Sequence, residues 1–453
     1  MSAAATGDPP FAARAEIEAA QLEQLRSLLA ELFPANRFYT QKLQAAGVTF
    51  DVASLADFRA RFPFTTKAEL VEDQAHHPPF GTNLTWPLER YTRFHQTSGT
   101  RGAPLRWLDT PESWEWMLEN WMEVFRAAGV GAGDRVCFAF SFGPFIGFWL
   151  AFESAERLGC LCLPAGGLST TARLRLMAET RANVLCCTPT YALHMAEVAA
   201  REGLDLRQLP LKCLLVAGEP GGSVPAVRAR LQAAWPGARV FDHHGMTEVG
   251  PVTFECPKRP GVLHVLEPAF LAEIVDPNTG RAVAPGQPGE LVLTPLGRTG
   301  SPLLRYRTGD LVRAEVRSAQ PDAPPCACGR HTLALEGGIL GRTDDMLIVR
   351  GVNVYPSAVD DLVRRFGEVA EYQVCVSTGR ALTELSVTIE PMPGCADVSR
   401  LMARVAEEFK NVFGLRVHVQ AVPPGSLPRF EHKARRWLIK PQADVPPAPS
   451  PRA

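Results

Sequence analysis

Apolar positions become informative from residue 113 onward. Trp114, Met117, Trp121, Val124, Phe125 and Ala128 recur at helical spacing and Gly129 follows as a stop, which predicts a helix with one apolar face. The pattern then alternates. Apolar runs at RVCFAF, CLCLPAG, NVLCCTP, KCLLVAGEP and ARVFDHHG predict strands. Residues 145–157, TARLRLMAET, a stretch from Tyr191 and VPAVRARLQAAW predict the helices between them. Strands this uniformly apolar need cover on both faces, so the pattern predicts a mainly parallel sheet flanked by helices. Ligands on such sheets bind beyond the carboxyl ends of the strands, where AGEP and HHGMTEVG fall.

From about residue 263 to 311 the style changes. Short runs, FLAEIVD and GELVLTP, are broken by PNTG, PGQPG and GRTGSP and predict an antiparallel β-rich region. RSAQPDAPPCACGR reads as loop. Beyond a boundary near Gly341, a strand–helix–strand–strand–helix–strand order predicts a small α+β domain. The expectation is an α/β protein with a large N-terminal domain over residues 1–340 and a small C-terminal domain over 341–440. The tail 441–453 is too polar and Pro-rich to pack and is expected to be disordered. No internal repeat is visible.

Composition narrows the partners. With 47 Lys+Arg against 48 Asp+Glu in 453 residues, the net charge of -1 gives no field for nucleic acid or an anionic membrane. One apolar run, VCFAFSFGPFIGFWLAF at 136–152, approaches the length that spans a bilayer. Gly143, Pro144 and Gly147 divide it into a strand-like and a helix-like half, so it reads as buried core and pocket wall. The start, MSAAATGDPP, has no basic stretch leading into an apolar one, and a cytoplasmic location is expected. Eleven cysteines without a secretory context fit reduced thiols and a metal site better than a disulfide framework.

The chemistry-bearing motifs begin at FHQTSGTRGAPLRW, residues 94–107, where Thr97, Ser98, Gly99, Thr100 and Gly102 could wrap phosphate oxygens. The Gly-Lys-Ser/Thr ending of the ATPase P-loop is missing. Further on stand HHGMTEVG, YRTGDL with Asp310, GRTDDMLIVRGVNVYP, and GSLPRFEHKARR with Lys433. Taken singly, Asp310 reads more often as a turn former, Glu248 as a helix cap and Lys433 as solvated surface. In this order and spacing the set resembles the adenylate-forming superfamily of acyl-CoA synthetases, luciferase-like enzymes and adenylation domains. Within it the chain is most similar to the phenylacetate-CoA ligase family, over about residues 20–440.

The resemblance implies roles. Thr97, Ser98, Gly99, Thr100 and Gly102 would hold the β- and γ-phosphates of ATP. Gly218, Glu219 and Pro220 would line the adenine, with His244 stacking near its ring. Thr247 would contact the α-phosphate and Glu248 the Mg²⁺, with Asp310 on the ribose hydroxyls and Arg342 close by. Asp344 would be the hinge of a mobile small domain, and Lys433 would bridge the carboxylate and the α-phosphate. The chain departs from the pattern at Arg101, where many relatives have threonine, at Ala103, where many have lysine, and at His244, where tyrosine is commoner. The chemistry gives its own reason for these residue types. A carboxylate is a poor electrophile and is repelled by a triphosphate, so both must be held while charge on the α-phosphate is compensated.

Cys256, His264, Cys326 and Cys328 make a donor set of the closed structural zinc type, although their irregular spacing leaves four unrelated residues equally open. The resemblance favours zinc, since some family members bind it at such a pattern. Cys186 and Cys187 read as core. The resemblance also places the acyl pocket at FAFSFGPFIGFW, where Phe140, Phe142, Phe145, Ile146 and Phe148 would form an apolar, aromatic wall that suits an aryl or arylacetic acid. The expected activity is ATP-dependent ligation of a carboxylic acid to CoA through an acyl-adenylate. Transfer to a carrier protein or an amine, or a non-catalytic nucleotide-binding role on the same fold, stands as the alternative, and a homodimer is left open.

Overall fold

The five apolar runs form one parallel sheet in a computed structural model that describes residues 12–97, 104–318, 320, 323–350, 352–378, 383–430 and 434–441. The strands lie in the order Leu161–Pro164, Arg135–Phe138, Val184–Cys187, Cys213–Val216 and Arg239–Asp242. Neighbouring side chains on a strand leave by opposite faces. Val136, Phe138, Val184, Cys186, Cys213, Leu215 and Phe241 accordingly enter one core with the helices Pro111–Ala127 and Ile146–Arg157. Their neighbours Cys137, Leu185, Cys187, Leu214, Val216 and Val240 enter a second core under Thr170–Thr180, Pro189–Arg201 and Pro225–Ala234. Val184–Cys187 and Cys213–Val216, inside the sheet, are buried on both faces, which is why these two runs are apolar at every position.

Antiparallel strands follow, as the style of the sequence predicts. Thr253–Glu255, Val262–Val265 and Ala334–Glu336 make a three-stranded sheet, and Phe270–Val275, Pro288–Pro295, Tyr306–Arg313 and Gly341–Arg342 a four-stranded one. The run 136–152 is split between a strand and a helix, and among the described residues no helix is long and apolar enough to cross a membrane.

The chain begins with helices that the apolar pattern does not announce: Arg14–Leu32, Arg37–Ala45, Leu55–Arg61 and Lys67–His76. Leu25, Leu28, Leu29 and Leu32 pack with Tyr39, Phe58 and Phe62 against Leu271, Leu296 and Leu304 of the β region. A buried amide interrupts the stripe. Gln21 Nε2 donates to the carbonyls of Glu267 and Phe270, both at 2.9 Å, so a polar residue faces the protein where the helical pattern asks for an apolar one.

The chain divides into two compact units at Thr343 and Asp344. Gly341 and Arg342 belong to the first, because they pair with Leu311 and Asp310 on the strand Tyr306–Arg313. In the second unit a hairpin, Leu347–Val349 with Val352–Val354, precedes the helix Pro356–Arg364. A four-stranded sheet follows in the order His418–Ala421, Thr383–Pro391, Val369–Thr378 and Trp437–Pro441. The helix Val398–Phe413 seals it with Leu401, Val405 and Phe409. The last strand, missed by the apolar pattern, runs parallel to Val369–Thr378. A buried ion cluster fastens it: Arg436 Nε donates to Glu371 Oε1 at 2.7 Å, and Arg364 Nη2 reaches the same oxygen at 2.9 Å. The tail call for 441–453 falls, beyond Pro441, outside the described residues.

Candidate nucleotide and acyl site

Two antiparallel strands, Arg93–Gln96 and Arg106–Asp109, present the candidate phosphate loop. Thr97 closes its neck: its amide donates to the Leu105 carbonyl and its hydroxyl accepts from the Leu105 amide, each at 3.0 Å. Ser98, Gly99, Thr100 and Gly102 lie outside the described residues. The Gln96 amide donates to the Pro144 carbonyl at 2.8 Å, which ties the neck of the loop to the turn beside the candidate acyl pocket.

Gly218, Glu219 and Pro220 follow the carboxyl end of the strand Cys213–Val216. Glu219 accepts from the Thr190 amide at 2.8 Å, in the first turn of the helix Pro189–Arg201, where the unpaired amides and the helix dipole favour an anion. The next strand, Arg239–Asp242, leads into His243 and His244 over a buried network. Ser223 Oγ donates to Asp242, and Glu255 accepts from Arg228 and from the Asp242 amide. Burial pushes the Glu255 carboxyl up to about 7 against the pull of Arg228, and drives the His243 imidazole down to about 4.

His244, Asp310 and Arg342 converge. His244 Nε2 donates to Asp310 Oδ2 and Arg342 Nη1 donates to Asp310 Oδ1, both at 2.9 Å. Asp310 is buried, and strand register sets Arg342 directly opposite it. The preceding Gly309 has φ +76, and a Cβ there would stand 3.0 Å from Arg342 Nη2, so the turn needs glycine to let the guanidinium lie across it. The carboxylate expected at the ribose is therefore clasped on both oxygens by groups from two other segments.

Thr247 and Glu248 stand on the turn after His244. The Thr247 carbonyl accepts from Arg298 Nη1 at 2.8 Å, and Arg298 is locked in a buried two-point pair with Asp109. Glu248, 6% exposed at its side chain, receives Lys67 Nζ on Oε1 at 2.9 Å, with the Tyr306 hydroxyl at 3.4 Å. Lys67 is absent from the residues that the motifs single out. The signal was there in TTKAEL: Thr66 caps the helix Lys67–His76 and Glu69 closes a capping box. That announces a helix start without revealing what its first residue touches.

The candidate acyl wall is a chain of rings. Phe140 stacks on Phe148 with centroids 4.2 Å apart and meets Phe142 edge-on at 5.5 Å, while Phe145 meets Phe148 at 6.0 Å. Phe140 and Ile146 also belong to the buried core, whereas Phe145 is 38% exposed. The Trp149 indole donates to the Gly143 carbonyl at 2.9 Å and holds the turn.

Cys256, His264, Cys326 and Cys328 come together with their ligand atoms all within 4.8 Å of one another. Cys256 Sγ and Cys326 Sγ are 3.7 Å apart, close to the edge of about 3.8 Å that tetrahedral Zn–S bonds of about 2.3 Å require. His264 Nδ1 bonds the Thr332 hydroxyl at 3.0 Å, which turns Nε2 toward Cys328 at 3.4 Å. The donor chemistry fits zinc. Lys433 lies outside the described residues, and Asp344 is the exposed first residue of the second unit.

The family model of the AMP-binding enzyme matches residues 94–295, and that of the AMP-binding enzyme C-terminal domain matches 351–439. The chain is 33% identical over 446 residues to a phenylacetate-coenzyme A ligase of Thermus thermophilus, covering 94% of this chain and 97% of the relative. It is 32% identical over 435 residues to the phenylacetate-coenzyme A ligase of Escherichia coli K12, covering 93% and 94%. Among solved structures, a 2-hydroxyisobutyryl-CoA ligase in the postadenylation state superposes with a TM-score of 0.89 at 30% identity, over 97% of this chain and 94% of that one.

Proposed function

This chain belongs to the phenylacetate-coenzyme A ligase family of AMP-binding enzymes, and on that premise we propose that it activates an aromatic or arylacetic acid with ATP and passes the acyl group to CoA. In the first step an oxygen of the substrate carboxylate attacks the α-phosphorus, the bond to the β-phosphate breaks, and pyrophosphate leaves. In the second the CoA sulfur attacks the acyl carbonyl, its proton is lost, and AMP departs with the electron pair of the carbon–oxygen bond.

The chain's residues divide this work. Thr97 and the loop it closes would hold the pyrophosphate end. Gly218, Glu219 and Pro220 would border the adenine. Asp310, clasped by His244 and Arg342, would take the ribose hydroxyls with its geometry already set. Thr247 would meet the α-phosphate, and Glu248, an oxygen ligand of the kind Mg²⁺ prefers, would hold the metal, which when bound offsets phosphate charge. Lys433 would complete that compensation, and Asp344 would be the pivot on which its unit turns between the two steps. The four-donor Cys and His set would hold a structural zinc that pins the loop carrying Cys326 and Cys328 to the three-stranded sheet.

The observation that carries the reading is the convergence of His244 and Arg342 on the Asp310 carboxylate, beside the turn that bears Thr247 and Glu248. The aromatic wall supports an aryl acid, because it offers flat apolar surface and no charge. The test is pyrophosphate release with a panel of aromatic, arylacetic and aliphatic acids, with and without CoA. Release with aryl acids, and thioester only when CoA is added, is expected. No release with any acid, from folded protein that binds ATP, would remove the proposal. Adenylate without thioester would move the acceptor to a carrier protein or an amine.

A further inference from the structure

The turn that carries Thr247 and Glu248 is a closed loop, and Thr253 closes it. The chain leaves the parallel sheet at Asp242, runs through His243 and His244, and returns with Gly250–Pro251 paired antiparallel to Gly245–Met246. At the neck the Val252 and Thr253 amides both donate to the His244 carbonyl, at 2.9 and 3.1 Å. The Thr253 carbonyl accepts from His243 Nδ1 at 2.7 Å, and the Thr253 hydroxyl accepts from the His244 amide at 3.0 Å. Amide, carbonyl and hydroxyl of this one residue are thus all engaged by the two histidines. Thr253 is 0% exposed, so these polar groups depend on one another for their partners.

The contacts made by the Thr253 amide and carbonyl belong to the backbone and would survive a change of side chain. The hydroxyl bond would not. It fixes the peptide that carries the His244 ring, and that ring reaches Asp310 Oδ2 from Nε2 at 2.9 Å. The carboxylate is anchored separately. Asp310 comes on the strand Tyr306–Arg313, to which Thr65 bridges in parallel at Tyr306, its amide donating to the Arg305 carbonyl at 3.0 Å and its carbonyl accepting from the Arg307 amide at 2.9 Å. Arg342 holds the other carboxylate oxygen. With Nε2 donating, Nδ1 of a neutral imidazole is an acceptor, and that atom is buried without a hydrogen-bond partner among the described residues. The orientation of the ring therefore rests on the Asp310 bond and on the backbone beneath it.

We propose that Thr253 is a positioning residue for the nucleotide: its hydroxyl sets the His244 backbone so that the imidazole holds Asp310 in the orientation that receives the ribose. Thr253 acts through His244 and not by contact with the nucleotide. The inference rests on the assignment of Asp310 to the ribose, and it adds a residue that no motif marks.

The test uses the full-length chain with four variants. Thr253→Val keeps the branched shape and removes the hydroxyl, Thr253→Ser keeps the hydroxyl, His244→Ala removes the ring, and the last combines Thr253→Val with His244→Ala. ATP and AMP binding are titrated in Mg²⁺ and again in EDTA. A buried amide left without its acceptor should weaken ATP and AMP alike by about 3- to 30-fold in Thr253→Val, in EDTA as well as in Mg²⁺. Thr253→Ser should recover most of the affinity. In the His244→Ala background Thr253→Val should cost less than about twofold, because the ring through which it acts is gone. An equal loss in both backgrounds would show a purely structural role, and a loss confined to ATP in Mg²⁺ would place the effect on Glu248; either overturns the proposal. So would unchanged affinity in Thr253→Val, or a serine variant no better than the valine one. Should Thr253→Val not fold, Thr253→Ala takes its place in the same cycle with the same expected pattern. Wild-type protein that bound neither nucleotide would end both this inference and the ligase reading. Wild-type protein that bound both but released no pyrophosphate with any acid would end the ligase reading alone, leaving the Thr253 contrast intact.

Discussion

Replacing Glu371 by Gln tests whether buried charge holds the C-terminal unit together. The carboxylate accepts from Arg364 Nη2 at 2.9 Å, from Arg436 Nε at 2.7 Å and Nη2 at 3.1 Å, and from the Tyr372 amide at 2.9 Å. Burial alone would raise this carboxyl, but Arg364 and Arg436 outweigh it and hold it at about 2 rather than 4.5. A displacement of that size corresponds to about 3 kcal/mol. Breaking a buried ion pair from one side costs about 3–5 kcal/mol in other proteins, which agrees. The folded value lies below the unfolded one, so the contribution is complete above about pH 4.5 and is lost as the pH falls through about 2. Native-state hydrogen exchange of the full chain at pH 6 reads the effect locally. Peptides from Val369–Thr378 and Trp437–Pro441 should lose about 3 kcal/mol of protection in Glu371→Gln, while peptides of the parallel sheet keep theirs. In urea unfolding the difference between wild type and variant should narrow as the pH is lowered from 5 toward 2. Equal protection at pH 6, or a difference that does not narrow in acid, would refute the argument. Lys433 stands three residues before Arg436 in the sequence, so adenylate formation should fall together with the protection.

Further outcomes follow from the site. Lys433→Ala should lower acyl-adenylate formation by about 100-fold or more while sparing conversion of a supplied adenylate to thioester; equal loss of both half-reactions in a folded variant would remove the assigned role. Asp310→Asn should weaken ATP and AMP alike by about tenfold or more, and unchanged titrations would show that this carboxylate does not meet the ribose. Elemental analysis of metal-replete protein should find about one zinc per chain, with Cys328→Ser reducing both the zinc content and the melting temperature. Metal-replete protein without zinc would leave the four donors as neighbours only.

What the sequence made legible follows from periodicity. The parallel sheet was readable because Val136 and Cys137, or Leu214 and Leu215, are both buried although they face opposite cores, so apolar letters run without a break. The N-terminal helices were not, since Gln21 occupies a buried position and satisfies carbonyls instead of filling space. The strand Trp437–Pro441 was hidden for a different reason. It lies at a sheet edge, with Ile439 61% exposed, and is held by Arg436, a residue that reads as surface in any linear pattern. Asp310, Thr247 and Glu248 were singled out through the order of motifs, which carries no geometry. The hydrogen bond from His244 to Asp310 spans 66 positions and that from Lys67 to Glu248 spans 181, and spacing along the chain cannot encode either contact.

The bridge between Thr65 and Tyr306 bears on how such enzymes are cut and recombined. The recognisable nucleotide-binding region opens at residue 94, yet the strand leading to Asp310 is laced to a segment some thirty residues upstream of that start. A transplantable catalytic cassette opened at residue 94 and run on through the strand Tyr306–Arg313 would carry Asp310 without its lacing and Glu248 without its counter-ion. Chimeras of these ligases should therefore keep the leading helices with the lobe they brace, and swap partners at Thr343 instead.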